Sequence, residues 1–160
     1  MLKIKVALFY GTFDPINNGQ LDIIKNSIKI FDKLIVLVIE NIKKPTMFSA
    51  ETRLRFIKTA TLNHENVEID YWPNLLSEYV KMSRADVIIR GINTNFSIAK
   101  ESEFKIENET SNNLTQTIFM LPNPRNIYIS SELVRKLCIL KKNLNLVVPK
   151  VVEQEIKKEV

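Results

Sequence analysis

The stretch Lys5-Val6-Ala7-Leu8-Phe9-Tyr10-Gly11-Thr12-Phe13-Asp14-Pro15-Ile16-Asn17-Asn18-Gly19-Gln20 decides the fold. Its first part, Lys5 to Tyr10, is a short apolar run that stops at a glycine, as a strand buried in a parallel sheet does. Beyond the loop the chain turns periodic: Leu21, Ile24, Ile28 and Phe31 have the spacing of one helix face, predicting a helix from Leu21 to Phe31. A strand, a glycine-bearing loop and a helix in that order make an entry for phosphate. Gly11 lets the chain turn off the strand, and Gly19 lets backbone lie close to a ligand. Free N–H groups at the helix start, on the positive end of its dipole, attract an anion. Thr12 and Asn18 add neutral donors. As bare composition the same residues form an ordinary connection with Asp14-Pro15 as its turn. As an ordered string ending at a helix start, they form a phosphate loop.

The alternation continues outward from this unit. Leu34 to Ile39 is a second buried strand, and Ser49 caps a helix through Leu62, with Thr52 three residues on. Asn66 to Tyr71 alternates as a third strand, before a helix over Asn74 to Met82. Asp86 to Ile89 is a fourth strand, ending at Arg90-Gly91, and a polar helix fills much of Phe96 to Asn113. Thr117 to Leu121 is a fifth, closed by Pro122 and Pro124; Ser130 to Leu140 is helical, and a last helix starts near Pro149. Five strands separated by helices predict a Rossmann-like α/β fold: a doubly wound, parallel, five-stranded sheet in one domain over residues 1–160. Such sheets bind ligands beyond the carboxyl ends of the strands, where strand order reverses. The unusual segments, 11–20, 40–48, 90–101 and 122–132, all come directly after strand ends.

Composition narrows the class. With 160 residues, 45% hydrophobic and 26% charged, the chain is long and apolar enough for a sizeable core. Its apolar runs fall short of the roughly 20 residues that span a bilayer, and Met1 to Val6 alternates charge with apolar residues, unlike a secretion signal. The single cysteine, Cys138, excludes an internal disulfide framework. A cytoplasmic protein with no membrane association is expected. The net charge of +5 is spread along the chain, and its one dense segment alternates Lys150, Lys157 and Lys158 with Glu153, Glu155 and Glu159. That is the pattern of a solvated helix face rather than a nucleic-acid stripe, and phosphorylated small ligands suit a basic balance equally well.

Other candidates sit at the same end of the sheet. Lys43-Lys44 comes after the second strand, either as solvated loop lysines or as anion ligands. Arg90 has the planar donor set that suits a phosphate, or a salt bridge to a neighbouring carboxylate. Glu101 lies on the next helix, where a plain surface role is the alternative. Ile129-Ser130-Ser131-Glu132-Leu133-Val134-Arg135 opens the fifth helix with two hydroxyls and free N–H groups, a second cradle for phosphate. Capping by Ser130 or Ser131 is the other use of those hydroxyls, and one serine is able to serve both.

Taken together these segments resemble the nucleotidyltransferase superfamily, and within it the bacterial-type phosphopantetheine adenylyltransferases. The string from Gly11 to Gly19, Phe31-Asp32-Lys33, Met47-Phe48, Ile89-Arg90-Gly91, Ile129-Ser130-Ser131 and Val148-Pro149 carry the resemblance, which runs over essentially the whole chain. It implies an enzyme that joins ATP to 4′-phosphopantetheine, giving dephospho-coenzyme A and pyrophosphate, with Mg²⁺ accompanying ATP. Dephospho-coenzyme A or coenzyme A is then product or regulator, and the implied assembly is a homohexamer. The resemblance also implies roles for residues. Thr12 holds the attacking phosphate, and Lys44, or Lys43 in its similar context, bridges it to the α-phosphate. Arg90 binds the phosphopantetheine phosphate, and Leu76 lines its arm. Thr12, Phe13, Gln20, Gly91, Ile92, Asn93, Glu101, Asn126, Ile127, Tyr128, Ile129, Ser130, Ser131 and Glu132 surround ATP.

The chain departs from the family pattern around ATP. Gln20 stands where the family has a histidine that stabilises charge on the reacting phosphorus. Glutamine donates a neutral hydrogen bond, and a charge-assisted one is roughly twice as strong. Asn93 replaces an arginine, Glu132 replaces a third serine, and Ser97-Ile98-Ala99-Lys100 stands where an acidic-aromatic run is usual. The sole histidine, His64, is expected as an exposed loop residue on the wrong side of the sheet. Three readings compete: an adenylyltransferase slowed by Gln20, a catalytically impaired phosphopantetheine or coenzyme A-binding protein on the same fold, and a superfamily enzyme with another acceptor, such as a cytidylyltransferase. The first is favoured because Thr12, Lys44 and Arg90 survive.

Overall fold

Alternation along β1 (Val6–Gly11) divides the interior into two cores. Ala7 and Phe9 face one side of the sheet and Leu8 and Tyr10 the other, since successive side chains of a strand point oppositely. The computed structural model describes residues 5–108 and 115–160, the side chains of 104–108 excepted. β1 lies at the centre of a five-stranded sheet with β2 (Lys33–Ile39), β3 (Val67–Trp72), β4 (Val87–Gly91) and β5 (Gln116–Met120), in the order β3-β2-β1-β4-β5. Every pairing is parallel, Val6 opposite Lys33 on one side and Ala7 opposite Val87 on the other. This is the expected Rossmann-like α/β sheet.

Between the strands run α1 (Asn18–Ser27), α2 (Ala50–Thr61), α3 (Leu76–Ser83) and α4 (Ile98–Asn108), then α5 (Ser131–Ile139) and α6 (Lys150–Glu159) after β5. Ile23 and Ile24 of α1, Phe56 and Ile57 of α2, Val134 of α5 and Val152 and Ile156 of α6 bury against Ala7, Phe9, Leu34 and Val36. Leu76, Tyr79 and Val80 of α3 cover Leu8, Tyr10, Ile35 and Leu37 on the opposite face. Helices on both faces explain why β1 and β2 read as continuous apolar runs.

Element boundaries moved where capping overrode periodicity. Asn17 caps α1 in a reciprocal box: its side chain accepts the Gln20 N–H and its own N–H reaches the Gln20 side chain. The helix therefore begins three residues before Leu21 and ends at Ser27, while Phe31 is buried from a following turn. Ser49 caps α2 as expected, accepting from Thr52. β4 extends through Arg90 and Gly91, which pair with Phe119 and Met120, so Arg90 belongs to the strand. Of the helix expected over Phe96 to Asn113, α4 is observed, and 109–113 lie outside the described residues. The glutamates of the C-terminal segment are all paired: Glu153 takes Lys157 at 2.9 Å, and Glu155 and Glu159 take Arg55 of α2.

Candidate active site

Connections leave β1 and β4 on opposite sides of the sheet, and the crevice this opens lies beyond the carboxyl end of β1. A cleft of about 520 Å³ occupies it. Four loops line it: Gly11 to Gln20 after β1, Asn41 to Thr46 after β2, the end of β4 with the start of α4, and Pro122 to Arg135 around the start of α5.

Buried polar side chains lock the first two loops together. Asp14, 3% exposed, accepts the backbone N–H groups of Met47 at 2.7 Å and Phe48 at 2.9 Å. Arg53, 1% exposed, donates to the carbonyls of Thr12 at 2.8 Å and Phe48 at 3.1 Å, and to Glu40 Oε1 at 2.6 Å. The turn itself falls at Phe13, with φ of 47°, next to a cis Asp14–Pro15 peptide; Gly11 has no positive φ. Gly19 is required by a different neighbour than a ligand: a Cβ there would stand 3.2 Å from the Asn126 carbonyl oxygen and from Asn17 Oδ1. The start of α5 is fastened to the same loop, since Ser131 Oγ donates to the Pro15 carbonyl at 2.8 Å and Arg135 Nη1 to the Asp14 carbonyl at 2.7 Å.

The two helix starts differ as anion sites. At α1 the Asn18 N–H goes to the Val147 carbonyl, the Gln20 N–H to Asn17 Oδ1, and Asn18 Nδ2 to the Leu146 carbonyl, while the Gly19 N–H keeps no partner among the described residues. Asn18 thus holds the C-terminal segment rather than offering a donor, contrary to expectation. At α5, Ser130 Oγ caps Leu133 N–H, while the N–H groups of Ser131 and Glu132 keep no partner among the described residues. That start retains its donors. Glu132 sits on the same turn, and Lys136 at 2.9 Å, then Arg135 and Lys44, hold its carboxyl below the usual range.

Arg90 is the most constrained cation of the cleft. Its Nε and Nη2 donate to Glu101 at 2.9 and 2.8 Å, Nη1 to the Tyr10 carbonyl at 2.7 Å, and its guanidinium carbon lies 4.2 Å from the Tyr10 ring centre. Burial works against its charge, but the bonds to Glu101 and the neighbouring Tyr10 outweigh it and raise its pKa. Three of five N–H donors are used, leaving two for an anion. Glu101, for which a surface role was one alternative, is this arginine's partner. Gln20 is also oriented. Because Asn17 N–H is a donor, the atom it meets at 3.2 Å is the amide oxygen, which leaves the Gln20 NH₂ to the cleft that the residue lines.

Thr12, Gln20, Lys44, Arg90, Gly91, Ile92, Asn93, Glu101, Asn126, Ile129, Ser130, Ser131 and Glu132 all line this cleft. Lys44 does so and Lys43 does not. Four expected residues fall outside it. Phe13 is buried against Phe9, ring centres 5.3 Å apart. Leu76 is buried in the core under α3. Ile127 offers its carbonyl to Thr94 N–H, and Tyr128 is exposed elsewhere. His64, half-buried rather than exposed, closes α2 by donating its backbone N–H to the Thr61 carbonyl, at the opposite end of the strands. Asp14, Arg53, Asn17, Arg135 and Lys100 were not among the expected site residues. No local signal marks Asp14, whose partners Met47, Phe48 and Arg135 lie 33, 34 and 121 residues away, or the bond of Arg53 to Thr12, 41 residues away.

Among the described residues no cluster of three or more His, Cys, Asp or Glu is placed to hold a metal. The carboxylates of the cleft are engaged as well, Asp14 by backbone N–H groups, Glu101 by Arg90 and Glu132 by Lys136. This donor set does not fit a resident cation.

A cytidylyltransferase-like family model matches residues 8–137. Proteins named phosphopantetheine adenylyltransferase match nearly the full length. That of Caldanaerobacter subterraneus subsp. tengcongensis is 36% identical over 96% of both chains. That of Nautilia profundicola is 39% identical over 86% of this chain and 88% of its own. That of Wigglesworthia glossinidia brevipalpis is 33% identical over 99% and 95%. With this coverage, and with the motif-bearing loops meeting in one crevice, the chain belongs to the phosphopantetheine adenylyltransferase family of cytidylyltransferase-like proteins.

Proposed function

We propose that the chain is a pantetheine-phosphate adenylyltransferase, which moves AMP from ATP to 4′-phosphopantetheine and yields dephospho-coenzyme A and pyrophosphate. The observation that carries this is the meeting of Thr12, Lys44, Arg90 and the α5 start, from four separate loops, in one cleft. A phosphate monoester is already anionic near pH 7, its second pKa being about 6, so no general base is required. An oxygen of that phosphate attacks the α-phosphorus in line. The new O–P bond forms as the bond to the β-phosphate oxygen breaks, and pyrophosphate leaves with the electron pair. The protein's part is positioning and charge. Thr12, anchored through its carbonyl to Arg53, and Lys44 hold the attacking phosphate against the α-phosphate. The two spare N–H groups of Arg90 hold the phosphopantetheine end. The nucleotide runs past Gly91 and Asn93 to the N–H groups of Ser131 and Glu132, and the Gln20 NH₂ donates to the α-phosphate.

Mg²⁺ enters this scheme as part of the ATP substrate. The pattern of family likeness supports a cytoplasmic homohexamer with dephospho-coenzyme A or coenzyme A as product or regulator. No helix among the described residues is long and apolar enough to cross a membrane. The decisive experiment measures pyrophosphate release from MgATP and 4′-phosphopantetheine by the native protein and by Gln20→His. We expect turnover by the native protein and a gain of at least roughly tenfold with the histidine, on the order expected for adding charge to an oxyanion donor. Absence of turnover in both, with phosphopantetheine still bound, would establish the binding-protein reading instead.

A further inference from the structure

The cleft must hold a polyanion, yet most of its charge is already spent. Arg90 is paired with Glu101, and Arg135 donates to the Asp14 carbonyl with its Nη1 lying 3.7 Å from Asp14 Oδ2. Glu132 adds an anion at the α5 start. Gln20 and Asn93 are neutral. Among the described residues lining the cleft, Lys44 and Lys100 are the cations that form no salt bridge, Lys44 acting on the Glu132 carboxylate only through space. They reach it from opposite sides: Lys44 comes after β2 and Lys100 after β4, the strands flanking β1. The two therefore bracket the loop from Gly11 to Gln20. Lys100 stands on the first turn of α4, where its N–H faces Ser97 Oγ at 3.4 Å, and its side chain is exposed.

We propose that Lys100 binds the β- and γ-phosphates of ATP and so supplies, from α4, the positive charge that Gln20 and Asn93 do not. This rests on the adenylyl-transfer reading above. The acceptor side of the crevice has Lys44 and Arg90. On the β4 side, Gly91, Ile92 and Asn93 offer a triphosphate only neutral groups, and Lys100 is the unpaired cation that borders them. A lysine also suits an exposed, flexible triphosphate tail, since its ammonium is a point charge on a mobile stem that needs no fixed fork geometry.

The test separates the two substrates in Lys100→Ala, Lys100→Gln and Lys100→Arg, with MgATP titrated directly by calorimetry and steady-state rates measured on the same preparations. Loss of one charge-assisted phosphate contact at an exposed site predicts a rise of roughly tenfold in the Kd and KM for ATP with Ala or Gln. The KM for 4′-phosphopantetheine should stay unchanged, and Arg should restore ATP binding. Unchanged ATP binding in Ala and Gln would overturn the proposal, as would a rise confined to phosphopantetheine. The titration reads Lys100 and pyrophosphate release reads the reaction. A native protein that binds ATP without turnover, with weaker binding in Lys100→Ala, would therefore sustain the first and remove the second.

Discussion

Asp14 shows how one side chain sets the geometry of two loops. Its carboxylate accepts two backbone N–H groups from the Met47-Phe48 segment, and its own carbonyl takes Arg135. Removing the carboxylate strands two donors, that of Phe48 buried and that of Met47 part-buried. Asp14→Ala is expected to cost about 2–4 kcal/mol, the penalty for two donors left unsatisfied. It should appear as a lower denaturation midpoint with unchanged slope. Asp14→Asn retains one acceptor oxygen and should lose less; equal losses would show that volume, not acceptance, is what matters. Gln20 carries a similar double duty, since its oxygen completes the α1 cap while its NH₂ serves the cleft. Both residues stand in a string legible as a phosphate loop. The partnerships of Asp14 were not legible, because it meets groups 33, 34 and 121 residues away.

At the scale of elements, the sheet is held to α3 through a buried phenol. Tyr79 Oη donates to Asp70 Oδ2 of β3 at 2.7 Å, and its ring meets Trp72 edge-on. Burial, then the bond to Asp70, raises the Tyr79 pKa above its ordinary value; burial raises Tyr10 and Tyr71 as well. The folded protein thus holds these protons more tightly than the unfolded chain, whose tyrosines titrate near 10. Linkage then makes stability whole below about pH 10 and makes it fall as pH rises further. Tyr79→Phe cannot ionise and should flatten that alkaline fall, measured as Tm from about pH 8 to about pH 11. The same slope in the variant would remove Tyr79 as its source. The alternation of strands and helices that places these elements was readable from periodicity alone, since burial on one or two faces is written locally. Boundaries were less so, as at α1, where the Asn17–Gln20 box begins the helix before its apolar stripe.

For the whole molecule, the β5 edge of the sheet carries apolar side chains that the described residues leave partly exposed, Phe119 among them although its ring meets Phe96. Ile118 and Phe119 of β5 are 40% and 46% exposed, and Leu121 beyond it 59%. An edge strand of this kind is a template for association, which supports the proposed homo-oligomer. Ile118→Lys with Leu121→Lys is expected to reduce the solution mass from the oligomer to a single chain by light scattering. A native protein already of single-chain mass would overturn the assembly. What the sequence determined by itself were the properties that neighbours along the chain decide: the order of strands and helices, the parallel sheet they imply, the cap at Ser49, and the loops that carry donors for phosphate. Tertiary structure alone decided which donors remain available. At the α1 start the Asn18 and Gln20 N–H groups are consumed by the C-terminal segment and the Asn17 cap, those of Ser131 and Glu132 at the α5 start keep no partner among the described residues, Arg90 is shared with Glu101, and Lys100 lines the cleft without a salt bridge. A hydrogen bond or ion pair is settled by which groups folding brings within about 3–4 Å, and those groups come from distant parts of the chain.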